Sequence, residues 1–130
     1  MKTFEDVMER FRAVSFAETF DMVVAIANGG IIPAALLNQR LNVEFQLLKI
    51  NLRDSNQQAK YDRPQLMEPV GFDFRGKVIL LVEDRVKTGA SLRFAYDLLK
   101  GAQMIKTFAV NGEADYSLYN EACFKFPWIQ

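Results

Sequence analysis

Apolar positions along the chain follow two rhythms, one of helices and one of strands. Phe4, Val7, Met8 and Phe11 recur at helical spacing, and Thr3 ahead of them suits an N-cap. Met22 to Ala27, MVVAIA, is unbroken and rich in β-branched residues, which predicts a strand covered on both faces. NGGIIP follows, and Pro33 fits the first turn of a helix reaching about Arg40. Val43 to Leu52 reads as a second strand, and VILLVED after Gly76-Lys77 as a third. A helix is expected from about Thr88 to Lys100, with Leu92, Ala95, Tyr96 and Leu99 on its buried stripe and Gly101 as its C-cap. MIKTFAVN predicts a fourth strand, and CFKF a short last one before Pro127-Trp128. Between Arg53 and Phe74 the period dissolves into a polar stretch with two prolines. A loop of that length inside a small domain is usually functional.

Strands alternating with helices predict one α/β domain over residues 1–130, built on a largely parallel sheet with right-handed crossovers. Ligands in such sheets lie beyond the carboxyl ends of the strands. The loops after Ala27 and after Val82 both fall at such ends.

Composition narrows the chemistry. Of the 130 residues, 50% are apolar and 25% charged, an ordinary globular mix. Sixteen basic residues balance sixteen acidic ones, which argues against a bulk basic nucleic-acid binder. The chain has no histidine, so imidazole triads and histidine metal sites are excluded. Its one cysteine, Cys123, cannot form an internal disulfide and is expected as a small core residue. MKTFEDVMERF carries acids and no apolar stretch, so it does not read as a signal peptide. Met22 to Leu37 is broken by Asn-Gly-Gly and Pro33 and falls short of a membrane span. A soluble cytoplasmic domain without a membrane partner is the expectation.

The loop after the third strand concentrates polar chemistry. Glu83 and Asp84 stand where a buried strand emerges, and adjacent carboxylates there need hydroxyl donors, a cation or water. Thr88-Gly89-Ala90-Ser91 then opens a helix with small residues, free amides and two hydroxyls, a cradle suited to phosphate. Either part alone is common as a solvated strand end or a tight helix start. In this order they describe a sugar-phosphate site.

VILLVEDRVKTGASL resembles the phosphoribosyl-diphosphate (PRPP) signature of type I phosphoribosyltransferases. DMVVAIANGGIIPAALLNQRL is similar to that family's first strand and pyrophosphate loop, FRGKVILLVED to the lead into its third strand, and FKFPWIQ to the endings of small purine-type members. The resemblance implies a phosphoribosyltransferase-like fold with helices on both faces of the sheet. It implies transfer of the 5-phosphoribosyl group of PRPP to a nitrogenous base, a purine being the better guess, with release of pyrophosphate and with Mg2+ as cofactor. In its terms Glu83 and Asp84 bind the ribose hydroxyls or hydrated magnesium. Lys87, Thr88, Gly89, Ala90 and Ser91 wrap the 5-phosphate, and Asn28, Gly29 and Gly30 meet the pyrophosphate at a loop where members often hold a cis peptide. Residues 53–74 correspond to a cover over the site, with Arg53, Lys60 and Arg63 as its pyrophosphate contacts. A homodimer is implied as well.

Three positions depart from that pattern. Lys87 stands where 6-oxopurine members usually carry an aspartate, and it is the candidate catalytic residue. Asn28 replaces a common lysine or arginine. Asn111 falls near the place of a base-binding lysine, and Phe124 is the candidate to stack on the base, with Trp128 read as packing. The PRPP half thus matches and the acceptor half is altered. A second reading follows from that asymmetry: a PRPP- or nucleotide-sensing regulatory module that keeps the fold without catalysis.

Overall fold

A computed structural model of the chain describes residues 2–51, 65–66 and 69–128. Its elements are α1 (Phe4–Ala13), β1 (Met22–Ala27), α2 (Ile31–Leu41), β2 (Glu44–Asn51), β3 (Gln65–Leu66), β4 (Val78–Arg85), α3 (Ala90–Leu98), β5 (Met104–Asn111) and β6 (Tyr116–Tyr119). The strands form one sheet in the order β3-β2-β1-β4-β5-β6. Every pairing is parallel except that of the short β3 with β2. The chain builds outward from β1 to β2, then returns to β4 on the other side of β1 and runs on to β5. That reversal opens a crevice between the carboxyl ends of β1 and β4, the usual place for a ligand in such sheets.

β1 is a strand because all six of its residues are buried and must satisfy their backbone inside the sheet. One face buries Val23, Ala25, Leu80, Val82 and Phe108 under Val7 and Phe11 of α1 and Ala34 and Leu37 of α2. The other buries Val24, Ile26, Ile79 and Leu81 under Leu92 and Ala95 of α3. Each fully buried aliphatic side chain contributes roughly 1.5–3 kcal/mol relative to exposure. Helices therefore cover both faces, as expected. A capping box starts α1: the Asp6 amide donates to Thr3 Oγ1 at 3.1 Å, and the Thr3 amide donates to the Asp6 carboxylate at 3.1 Å.

Four expectations need correction. Tyr96 is 43% exposed, because it turns off the Leu92–Ala95–Leu99 stripe toward solvent. The C-cap of α3 is Leu99, not Gly101, which lies beyond it at φ 112°. CFKF is no strand: Phe124 and Phe126 alternate inward onto Tyr119 and each other without pairing to a neighbour. The last strand is instead Tyr116–Tyr119, reached through Gly112 at φ 128°, where an added Cβ would lie 2.4 Å from the Val86 carbonyl oxygen. Within the stretch 53–74, residues 65–66 pair with β2, while Arg53, Lys60 and Arg63 lie outside the described residues.

Candidate functional site

A cleft of about 1320 Å3 lies at the carboxyl ends of β1 and β4, lined by Asn28, Gly29, Glu83, Asp84 and Lys87 to Ser91. The parallel register pairs Ala25 with Val82, so the loop after β1 and the acids ending β4 emerge side by side. They touch: a Cβ on Gly29 would fall 2.5–2.7 Å from the Asp84 carboxyl atoms. The Ala27–Asn28 peptide is cis, in the loop where the resemblance places one. Gly30 lies behind the wall, against the carbonyls of Val82 and Ile26, and allows the loop to pass close over β4.

Glu83 and Asp84 form a carboxylate pair facing the cleft. The Asp84 amide donates to Glu83 Oε1 at 3.0 Å, and the Arg85 amide to Asp84 Oδ1 at 2.6 Å. Burial first, then the charge of Asp84 and a bond between the two carboxyls, hold Glu83 well above its ordinary 4.5. This pair is therefore poised to accept a cation or hydroxyl donors. Because the folded carboxyl binds its proton more tightly than the unfolded one, Glu83 favours folding below pH 4.5 and loses that advantage as pH rises through its elevated value. Urea midpoints measured in chelator should accordingly fall with rising pH in that window for the natural protein. They should fall less for Glu83→Gln, and identical profiles would show that the pair carries no such strain.

The candidate phosphate cradle is α3's first turn. Its N-cap, Gly89, has φ 81° and no side-chain cap. Thr88 Oγ1 accepts from the Ala90 amide at 3.2 Å, which leaves the Ser91 and Leu92 amides without helical acceptors. The helix begins at Ala90 rather than Thr88, so Lys87 to Gly89 form the loop between acids and helix. Arg93 folds back to donate to the Thr88 carbonyl at 3.2 Å and adds a cation beside the cradle.

The far wall comes from the segment after β6, with Cys123, Phe124, Lys125 and Phe126 lining the cleft. Cys123, expected in the core, is exposed. Phe124 is buried against Tyr119 and Phe126, at ring-centroid distances of 4.9 and 5.1 Å. Trp128 stacks on Phe126 at 5.4 Å and packs on the core as expected. Asn111 does not reach the cleft: its side-chain amide donates to the Glu121 carbonyl at 2.9 Å and accepts from the Glu121 amide at 2.8 Å, which fixes this segment to β5. Arg85, Lys2, Glu121 and Lys125 also line the cleft, and sequence reasoning placed none of them there. Arg85 meets the cleft because residues 121–126 return beside the end of β4.

Comparisons with known proteins bear on this arrangement. The family described as phosphoribosyl transferase domain matches residues 4–122. A xanthine-guanine phosphoribosyltransferase of Idiomarina loihiensis is 26% identical over 119 residues, covering 86% of this chain and 73% of its own. That of Chromohalobacter salexigens is 34% identical over 115 residues, covering 84% and 68%. Among solved structures, a purine phosphoribosyltransferase from Pyrococcus horikoshii superimposes with a TM-score of 0.84 at 22% identity, covering 98% of this chain and 92% of the other.

Proposed function

The chain belongs to the phosphoribosyl transferase domain family, and from that premise we propose that its cleft transfers the 5-phosphoribosyl group of PRPP to a purine base. A ring nitrogen of the base bonds to C1 of the ribose. The C1–oxygen bond to pyrophosphate breaks, and its electron pair leaves with the pyrophosphate. The observation carrying this assignment is the convergence, at one switch point, of an acid pair, an uncapped helix N-terminus and the Asn28-Gly29 loop.

In this reading Glu83 and Asp84 hold the ribose hydroxyls, and Thr88 to Ser91 hold the 5-phosphate through amides and hydroxyls aided by the helix dipole. Lys87 neutralises phosphate charge from the loop. Asn28 and Gly29 face the pyrophosphate, and Gly30 lets their loop approach. Such a site works by positioning and by stabilising developing charge, which suits a chain lacking histidine.

The residues fit magnesium. Among the described residues no group of three or more acidic, histidine or cysteine side chains converges. Glu83 and Asp84 would hold the ion, directly or through its waters, with substrate oxygens completing its shell. When bound, magnesium supplies positive charge to the diphosphate. The repelled, desolvated Glu83 supports the assignment independently, since a cation would offset its cost. Among the described residues no helix is long and apolar enough to cross a membrane, and the single cysteine is free.

Calorimetric titration with PRPP, with and without magnesium, followed by pyrophosphate release over a panel of bases, tests the proposal. Magnesium-dependent binding and release with a purine are expected. Binding without release on any base would replace the enzyme with a sensor of the same fold, and absence of binding would refute the site itself.

A further inference from the structure

Arg85 closes β4 and is the register partner of Asn111, which closes β5. Their side chains hold the same return of the chain. Asn111 grips residue 121 by its backbone amide and carbonyl, at 2.8 and 2.9 Å. Arg85 grips it further on: a terminal nitrogen donates to the Phe124 carbonyl, and the guanidinium lies over the Phe126 ring, 5.1 Å from its centroid. Ala122 and Cys123 span the interval between these anchors, exposed and lining the cleft.

The backbone of Arg85 serves the other half of the site, since its amide donates to Asp84 Oδ1 at 2.6 Å. One residue therefore joins the acid pair to the wall across the cleft. For stability alone its side chain is a poor choice. The buried Nε has no hydrogen-bond partner, and among the described residues no carboxylate pairs with the guanidinium. A buried donor left unmet opposes folding, and Arg remains charged in proteins. An unbranched apolar side chain would fill the same space without either cost.

We propose that Arg85 is a positioning residue, which sets the spacing between the acids that hold the ribose and the acceptor wall, so that a base lying against Ala122 and Cys123 is aligned with C1. This inference rests on the phosphoribosyltransferase reading. Arg85 touches neither reacting atom in this role and acts through the span it anchors. A planar guanidinium suits the task, because its edge meets the carbonyl while its face lies on the ring, fixing direction and distance together. Alignment is what such a site supplies, and a displacement of about 1 Å costs on the order of 100-fold in rate.

Arg85→Met tests this, because it keeps the backbone amide and much of the bulk while removing the anchor. Guanine, xanthine and hypoxanthine are tried in turn at saturating PRPP. For whichever base the natural protein uses, kcat/KM should fall about tenfold or more in the variant. The calorimetric Kd for PRPP should stay within about twofold, and the urea midpoint should not drop. Arg85→Lys reaches the carbonyl but cannot lie flat on the ring, so it should recover part of the loss. A nitroxide on Cys123, the chain's one cysteine, reads the wall without substrate. Its spectrum should be restricted in the natural protein and sharpen in the variants, most in Arg85→Met. Arg85→Lys and the label decide the matter even if Arg85→Met does not fold. Unchanged use of the base, a PRPP affinity that falls in step with it, or a label equally restricted throughout would overturn the proposal and leave phosphoribosyl transfer standing. PRPP binding with no release on any base would overturn both.

Discussion

Asp84→Asn should weaken PRPP binding by roughly 100-fold while the protein remains folded, a loss equivalent to about 3 kcal/mol. Asparagine has the same shape, so it can still rest against Gly29 and accept from the Arg85 amide. What it loses is charge, and charge is what ribose hydroxyls and a divalent cation require. The same change removes the carboxylate charge that, with burial, raises Glu83, so the variant should be more stable than the natural protein above pH 4.5. Opposite movement of binding and stability is the signature of a functional site held at the expense of folding. Calorimetry for PRPP and urea denaturation of the same samples read both. Unchanged affinity would make the acid pair structural.

Gly30→Ala should cost about 3 kcal/mol, the upper end of what overpacking usually costs. At φ −79° the backbone would accept any residue, so the demand is for space. An added Cβ would lie 2.4 Å from the Val82 carbonyl oxygen and 2.8 Å from that of Ile26. Both neighbours are backbone of paired parallel strands, and neither can rotate away. The wedge would part β1 from β4 where the site is assembled, so PRPP affinity should fall together with stability. Gly71→Ala, with nothing within 4 Å of its added Cβ, is the control. Equal urea midpoints for the two variants would show that the close approach is unimportant.

The buried centre of the fold was legible because its residues obey one rule at a time. MVVAIA matches β1 residue for residue, since a central parallel strand covered on both faces is apolar along its length, and MIKTFAVN matches β5, whose second half is buried. The periphery was harder. YSLY is too short to show a period, whereas CFKF shows one that reflects aromatic packing instead of a ladder. That the acids, the helix start after them and the Asn28-Gly29 loop share one cleft follows for a related reason. These residues lie in two continuous stretches, and the β1–β4 register alone brings them together. The acceptor half depends on a return of the chain that no local pattern encodes. Asn111, a candidate base contact from its position, instead ties residue 121 to β5, and Arg85, given no role from sequence, lines the cleft.

That tether divides the protein along a seam. The proposed PRPP half is part of the sheet, and disturbing it disturbs β1 and β4. The acceptor wall hangs outside the ladder on Asn111 and Arg85, with its aromatic rings inserted into the core. With Phe124 and Phe126 kept as core residues, the other positions of 121–126 are thus open to exchange. New linings transplanted between the two anchors could redirect the enzyme to other bases while the phosphoribosyl donor and its chemistry stay as they are, and natural divergence would have the same low-cost route open to it.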